Sequence, residues 1–147
     1  LAKARHLNNI AGTPVIADDS GLCVPALDGA PGVYSARYGA REGGNDLTDV
    51  DRNELLLKNM RGITDRRAYF VCSMVLLFDE NRFYVAQETV DGEITLSPQG
   101  DQGFGYDPLF FLPNLAKTAA QLAAKEKNAI SHRGKATVAL ARLITVD

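Results

Sequence analysis

The chain has 147 residues, 46% of them apolar and 23% charged, and carries a net charge of −2. That is the length of one ordinary domain, enough to bury roughly 68–70% of the unfolded surface without staples. The slightly acidic balance excludes a chain that coats DNA or an anionic membrane, yet it leaves room for one nucleotide in a locally basic pocket.

The first segment, Leu1 to about Ala11, is helical in pattern, and Gly12 is a natural stop. It opens without an initiator Met or a capping residue, so the reading expects further chain before Leu1. Thr13-Pro14-Val15-Ile16-Ala17 reads as a short buried strand that ends on an acidic turn, Asp18-Asp19-Ser20-Gly21. Leu22 to Leu27 is a second apolar stretch broken by Pro25, and Asp28-Gly29-Ala30-Pro31-Gly32 is a turn cluster. Arg41 to Asp46 is polar and glycine-rich, which predicts a mobile surface loop.

Thr48, with Asp51 three residues on, predicts the capped start of a helix running to about Met60. Arg67 to Asp79 and Arg82 to Thr95 are long β-prone runs, and Glu80-Asn81 between them predicts an antiparallel hairpin. Both faces of the second run are mixed, so its buried side is not readable. Gly100 to Pro108 is a glycine-rich turn leading into the strand Leu109 to Leu112. A last helical region covers Thr118 to Lys125 and then roughly Asn128 to Ile144. This order predicts an α/β domain with a mixed sheet rather than alternating βαβ repeats.

Cys23 and Cys72 are too few for a disulfide framework and form no Cys-x-x-Cys pair. Cys72 lies in an apolar run and reads as a buried free thiol, which fits a reducing cytoplasm. No stretch approaches the roughly 18 apolar residues of a membrane helix.

Three segments carry candidate chemistry. Asp18 and Asp19 are adjacent in an extended segment, so their side chains point to opposite faces and do different jobs. One can hold Mg²⁺, a hard ion that takes oxygen ligands, and a carboxylate beside such an ion can accept a proton from water. Taken alone, the pair is better read as a solvated Asx-type turn than as a catalyst. In Gly103-Phe104-Gly105-Tyr106-Asp107 the glycines permit close approach of backbone to ligand, and Phe104 offers a ring for stacking on a base. The competing reading is a β-turn whose aromatics pack inward. Lys127, His132 and Arg133 are a point charge and two planar donors suited to phosphate or base oxygens, or else solvated helix residues.

Together these segments resemble the inosine triphosphate pyrophosphatase family. The matching stretches are 17–22 (ADDSGL), 29–38 (GAPGVYSARY), 103–108 (GFGYDP) and 126–134 (EKNAISHRG), in the family's order across nearly the whole chain. The resemblance implies Mg²⁺-dependent hydrolysis of damaged-purine nucleoside triphosphates (ITP, dITP, XTP) to monophosphate and pyrophosphate, a nucleotide-pool-cleaning activity. It implies an elongated, two-lobed α/β fold, its mixed sheet flanked by helices, in a cytoplasmic homodimer, with no nucleic-acid or membrane partner. It assigns Asp19 as proton acceptor and metal ligand, and Ser20 as a substrate contact. Phe104, Gly105, Tyr106 and Asp107 become the nucleotide-binding turn, and Lys127, His132 and Arg133 contacts to phosphate and purine.

Two departures stand out. The family's opening Thr/Ser-x-Asn-x-x-Lys turn, which grips the triphosphate, and a second metal-binding acid are not found here. Residues 1–147 are therefore expected to be a single pyrophosphatase domain without its N-terminal strand–turn–helix portion, the alternative being a nucleotide-binding fragment without turnover. In Leu122-Ala123-Ala124-Lys125 the capping hydroxyl common in the family is absent.

Overall fold

A computed structural model describes residues 1–40 and 47–144. The glycine-rich segment Arg41 to Asp46 lies outside the described residues. Helix α1 (Ala2–Ala11) ends on Gly12, whose N–H bonds the carbonyl of Asn8. Strand β1 (Val15–Cys23) follows without interruption through both acids. A 3-10 segment, Gly32–Arg37, then leads to helix α2 (Asp49–Asn59). Next come the hairpin strands β2 (Arg67–Leu77) and β3 (Phe83–Ile94), the short strands β4 (Phe110–Leu112) and β5 (Lys117–Thr118), and helices α3 (Ala124–Ile130) and α4 (His132–Ile144).

The sheet has five strands in sequence order, β1-β2-β3-β4-β5, and every pairing among the described residues is antiparallel. Helices flank it, as expected of an α/β fold, and the described sheet is antiparallel rather than mixed, because consecutive strands pair as neighbours. Side chains alternate across it. Cys72, Met74 and Leu76 of β2 and Ala86 of β3 meet Ala136 and Leu140 of α4. Val75 and Leu77 instead meet Ala4 of α1. The even-numbered side of β3, whose character was not readable from sequence, thus faces the core: Ala86, Gly92 and Ile94 are buried. The main core lies at the other end of the sheet. There Leu22, Leu56, Met60, Ile94, Leu109 and Phe110 close around Tyr106.

Two local expectations are corrected. The stretch Asp18 to Gly21 is not a turn at a strand end but the middle of β1, fully paired with β2 from Val15↔Leu77 to Cys23↔Tyr69. The β-prone partner strand supplies a hydrogen-bonding ladder that outweighs the turn preference of Asp and Ser. Thr118 to Leu122 is a strand end and a 3-10 turn rather than α-helix, because Thr118 is committed to β5 and to a capping box with Gln121. As expected from Ala123, α3 starts with no side-chain cap. The thiols of Cys23 and Cys72 are free, the latter buried. No described helix is long and apolar enough to cross a membrane.

Candidate functional site

The two acids of β1 do take opposite faces. Asp18 accepts a 2.8 Å hydrogen bond from Nε of Arg133, on α4. Asp19 accepts one of 2.8 Å from Nζ of Lys3, on α1. The Asp19 side chain is 65% exposed, so that ion pair is a surface one and yields readily to a ligand. Among the described residues no cluster of three or more acids, His or Cys could hold a metal. Mg²⁺ commonly takes only one or two carboxylates and fills its shell with waters and substrate phosphates. An exposed Asp19 whose partner is one flexible lysine fits that manner of binding.

Ser20 shares the Asp18 side of β1. Its hydroxyl is buried with no conventional hydrogen-bond partner and faces Cys72 across the ladder. A thiol is a weak partner, and burial pushes the Cys72 thiol up, so it stays protonated.

The helical segment behind this face is bent sharply at Ser131. Its Oγ accepts the N–H of Gly134 at 3.0 Å and so caps the start of α4. A Cβ at position 134 would sit 1.8 Å from the Asn128 carbonyl, so only glycine lets α3 and α4 meet this closely. The bend aims His132 and Arg133 at the sheet. The His132 ring stacks on Phe70, with centroids 4.8 Å apart and planes 14° off parallel, and Phe70 in turn touches Phe110. Burial, and then the Arg133 charge, lower the His132 pKa to about 4. At neutral pH its ring is therefore uncharged, with one nitrogen donating and the other accepting.

The glycine-aromatic turn lies alongside. Asp107 is buried and accepts the Phe104 N–H at 2.8 Å. Its carboxylate also binds Lys127, whose Nζ lies 4.8 Å from the centre of the Phe104 ring. Lys127 is thus a held charge rather than a solvated one. Phe104 itself is 65% exposed. Tyr106 points inward, donating to the Ser35 carbonyl at 2.9 Å, and burial raises its pKa. A small, partly open cleft lies between the turn and the α3–α4 bend, lined by Phe70, Asp107, Lys127, Ser131 and His132 among others.

Phe104, Gly105, Asp107, Lys127, His132 and Arg133 therefore gather on the α4 side of the sheet, with Ser20. Asp19 does not join them, being on the α1 side. Sequence reading missed Lys3, Phe70, Ser35, Asp49 and Asn53. Ser35 both accepts the Leu22 N–H at 2.8 Å and donates to the Gly32 carbonyl at 2.7 Å, tying the 29–38 stretch to β1. Lys3 and Phe70 carried no signal beyond a basic helix and an apolar strand.

The Ham1 family model matches residues 1–143. A dITP/XTP pyrophosphatase of Treponema denticola is 51% identical over 144 residues, covering 98% of this chain and 74% of that relative. One from Nitrosomonas europaea is 49% identical over 147 residues, covering 99% of this chain and 70% of its own. Among solved structures, a HAM1 protein from Coxiella burnetii superposes with a TM-score of 0.91 at 42% identity, over 98% of this chain and 73% of that one.

Proposed function

The chain belongs to the Ham1 family, and from that premise we propose that it hydrolyses damaged-purine nucleoside triphosphates (dITP, XTP and ITP) to monophosphate and pyrophosphate. The observation that carries this reading is that Lys127 and His132, with Asp107 and Phe70, line one cleft, while the exposed Phe104 ring lies against Lys127. The cleft offers a fixed cation and an uncharged imidazole, and the exposed Phe104 ring beside Lys127 offers a stacking face. Those are the groups a 6-oxo purine and its phosphates call for. The names of the Treponema and Nitrosomonas relatives support the same substrate class.

In this reading the base stacks on Phe104. A neutral His132 donates to or accepts from its edge, and a site built to pair with a 6-oxo group rejects ATP by leaving a donor unpaired. Lys127 and Arg133 offset phosphate charge. Asp19 orients a water and takes its proton as the water attacks the α-phosphorus, and pyrophosphate leaves with the bridging electron pair. Lys3 stands 2.8 Å from Asp19 and brings a positive charge to the same point. Ser20, buried without a strong partner, is the hydroxyl a ligand oxygen would satisfy. Because Asp19 and the α4-side cluster lie on opposite faces of β1, its assignment requires the triphosphate to reach the α1 side. Mg²⁺ would be held by Asp19 together with phosphate oxygens, and when bound it supplies neutralisation of phosphate charge. Residues 1–147 belong to a single catalytic domain, whose N-terminal strand–turn–helix portion is not among them. A homodimer and a cytoplasmic location complete the proposal; the first rests on the family resemblance alone, the second also on the two free thiols.

Pyrophosphate release from dITP, XTP, ITP, ATP and GTP tests this. We expect release from the first three with Mg²⁺ and none with EDTA. Asp19→Asn should cut the rate by about 10²–10⁴ while nucleotide binding persists. Nucleotide binding by the parent protein with no pyrophosphate release would leave a binding protein without turnover.

A further inference from the structure

The first turn of α2 grips the glycine-aromatic turn through one residue. Gly105 has φ +61°, in the left-handed region that favours glycine, and both of its backbone polar groups are taken by α2 side chains. Its N–H donates to Oδ2 of Asp49 at 2.7 Å. Its carbonyl accepts from Nδ2 of Asn53 at 3.0 Å. The other oxygen of Asp49 is held by Arg52, which also donates to the Leu47 carbonyl.

Neither residue is explained by packing. Asn53 is 6% exposed, yet its Oδ1 is buried with no partner. A buried amide that satisfies one of its two ends is a costly way to fill space beside Leu56 and Tyr106, where an aliphatic side chain would serve. What the amide supplies that a leucine cannot is the bond to Gly105. The Asp49 carboxylate likewise has its pKa lowered, first by the Gly105 N–H. Phe104 is thereby bracketed, its own N–H tied to Asp107 and the next N–H tied to Asp49. The ring is exposed, so these backbone bonds and Lys127 are what fix its direction.

We infer that Asp49 and Asn53 are positioning residues for substrate: by holding both polar groups of Gly105 they set the Phe104 ring as a preformed platform for the purine. The inference rests on the proposed stacking of the base on Phe104. Neither side chain touches the nucleotide. They act through Gly105, and their loss is felt in base binding rather than in attack at phosphorus.

The test is a double-mutant cycle with dITP as substrate. Asn53→Leu keeps the volume and removes the donor, Asn53→Asp keeps the shape but can only accept, and Phe104→Ala removes the platform. Each single variant should raise KM about tenfold with kcat changed less than about threefold. Asn53→Leu combined with Phe104→Ala should be no worse in KM than Phe104→Ala alone, because the two share one effect. Asp49→Ala, at a half-exposed position, gives a second route should the Asn53 variants fold poorly, and Asp49→Asn should restore KM by keeping an acceptor for Gly105. An unchanged KM in both Asn53→Leu and Asp49→Ala, or KM effects that multiply with Phe104→Ala, would overturn the positioning role while leaving the pyrophosphatase reading intact. A parent protein that hydrolyses none of the damaged-purine substrates would remove that reading, and the inference with it.

Discussion

His132 illustrates how burial decides what a residue can do. Folded, its pKa is about 4, against 6.5 for an ordinary imidazole, because charging it against Phe70 forfeits hydration and places it beside Arg133. Between those values the unfolded chain binds a proton that the folded chain does not. Stability therefore rises with pH across this window and is lost as pH falls from about 6.5 towards about 4. Thermal melts at pH 7 and pH 4.5 should show a drop for the parent protein that His132→Gln makes smaller. A titration of the ring by NMR should have its midpoint near 4. A midpoint near 6.5 would show that the ring is solvated and uncouple it from the cleft.

At the scale of elements, α2 joins stability to the site. Thr48 accepts the Asp51 N–H at 3.2 Å, and Asp51 accepts the Thr48 N–H at 2.8 Å, a complete capping box. Removing it by Thr48→Ala costs about 1 kcal/mol, measurable by urea unfolding. Because Asp49 is the next residue, fraying of this turn also loosens Gly105, so KM should rise along with the loss of stability. An unchanged KM would mean that the turn keeps its shape without the cap. The cap itself was legible in the sequence, since Thr48 and Asp51 lie three residues apart and the pattern is local. So were the hairpin of β2 and β3 and the stop at Gly12. The acidic stretch was misread as a turn, since its place mid-strand depends on β2, more than 50 residues later.

Over the whole molecule, one five-stranded sheet carries three apolar clusters, and Phe110 sits at the junction of the largest with the cleft. It is 1% exposed and its ring lies 4.5 Å from that of Phe70, on which His132 stacks. Phe110→Ala should cost about 3–5 kcal/mol, and in a domain of this size lower the Tm by roughly 10 °C. The same cavity removes support from beneath His132, so differential scanning calorimetry and substrate KM should both respond. A variant with the parent melting point would place Phe110 outside the cooperative core.

What the sequence by itself determined was most of the elements and the ordered motifs, from 17–22 to 126–134, that place the chain in its family. Those signals are written within a few residues of one another, in periodicity, caps and turn chemistry. Only the tertiary structure decided that Asp18 pairs with Arg133 while Asp19 faces Lys3, that burial holds His132 neutral, and that Asp49 and Asn53 grip Gly105. These contacts span 16 to 115 residues of chain. Their formation depends on how strand pairing and helix packing divide the two faces of the sheet, and no local pattern in the sequence encodes that division.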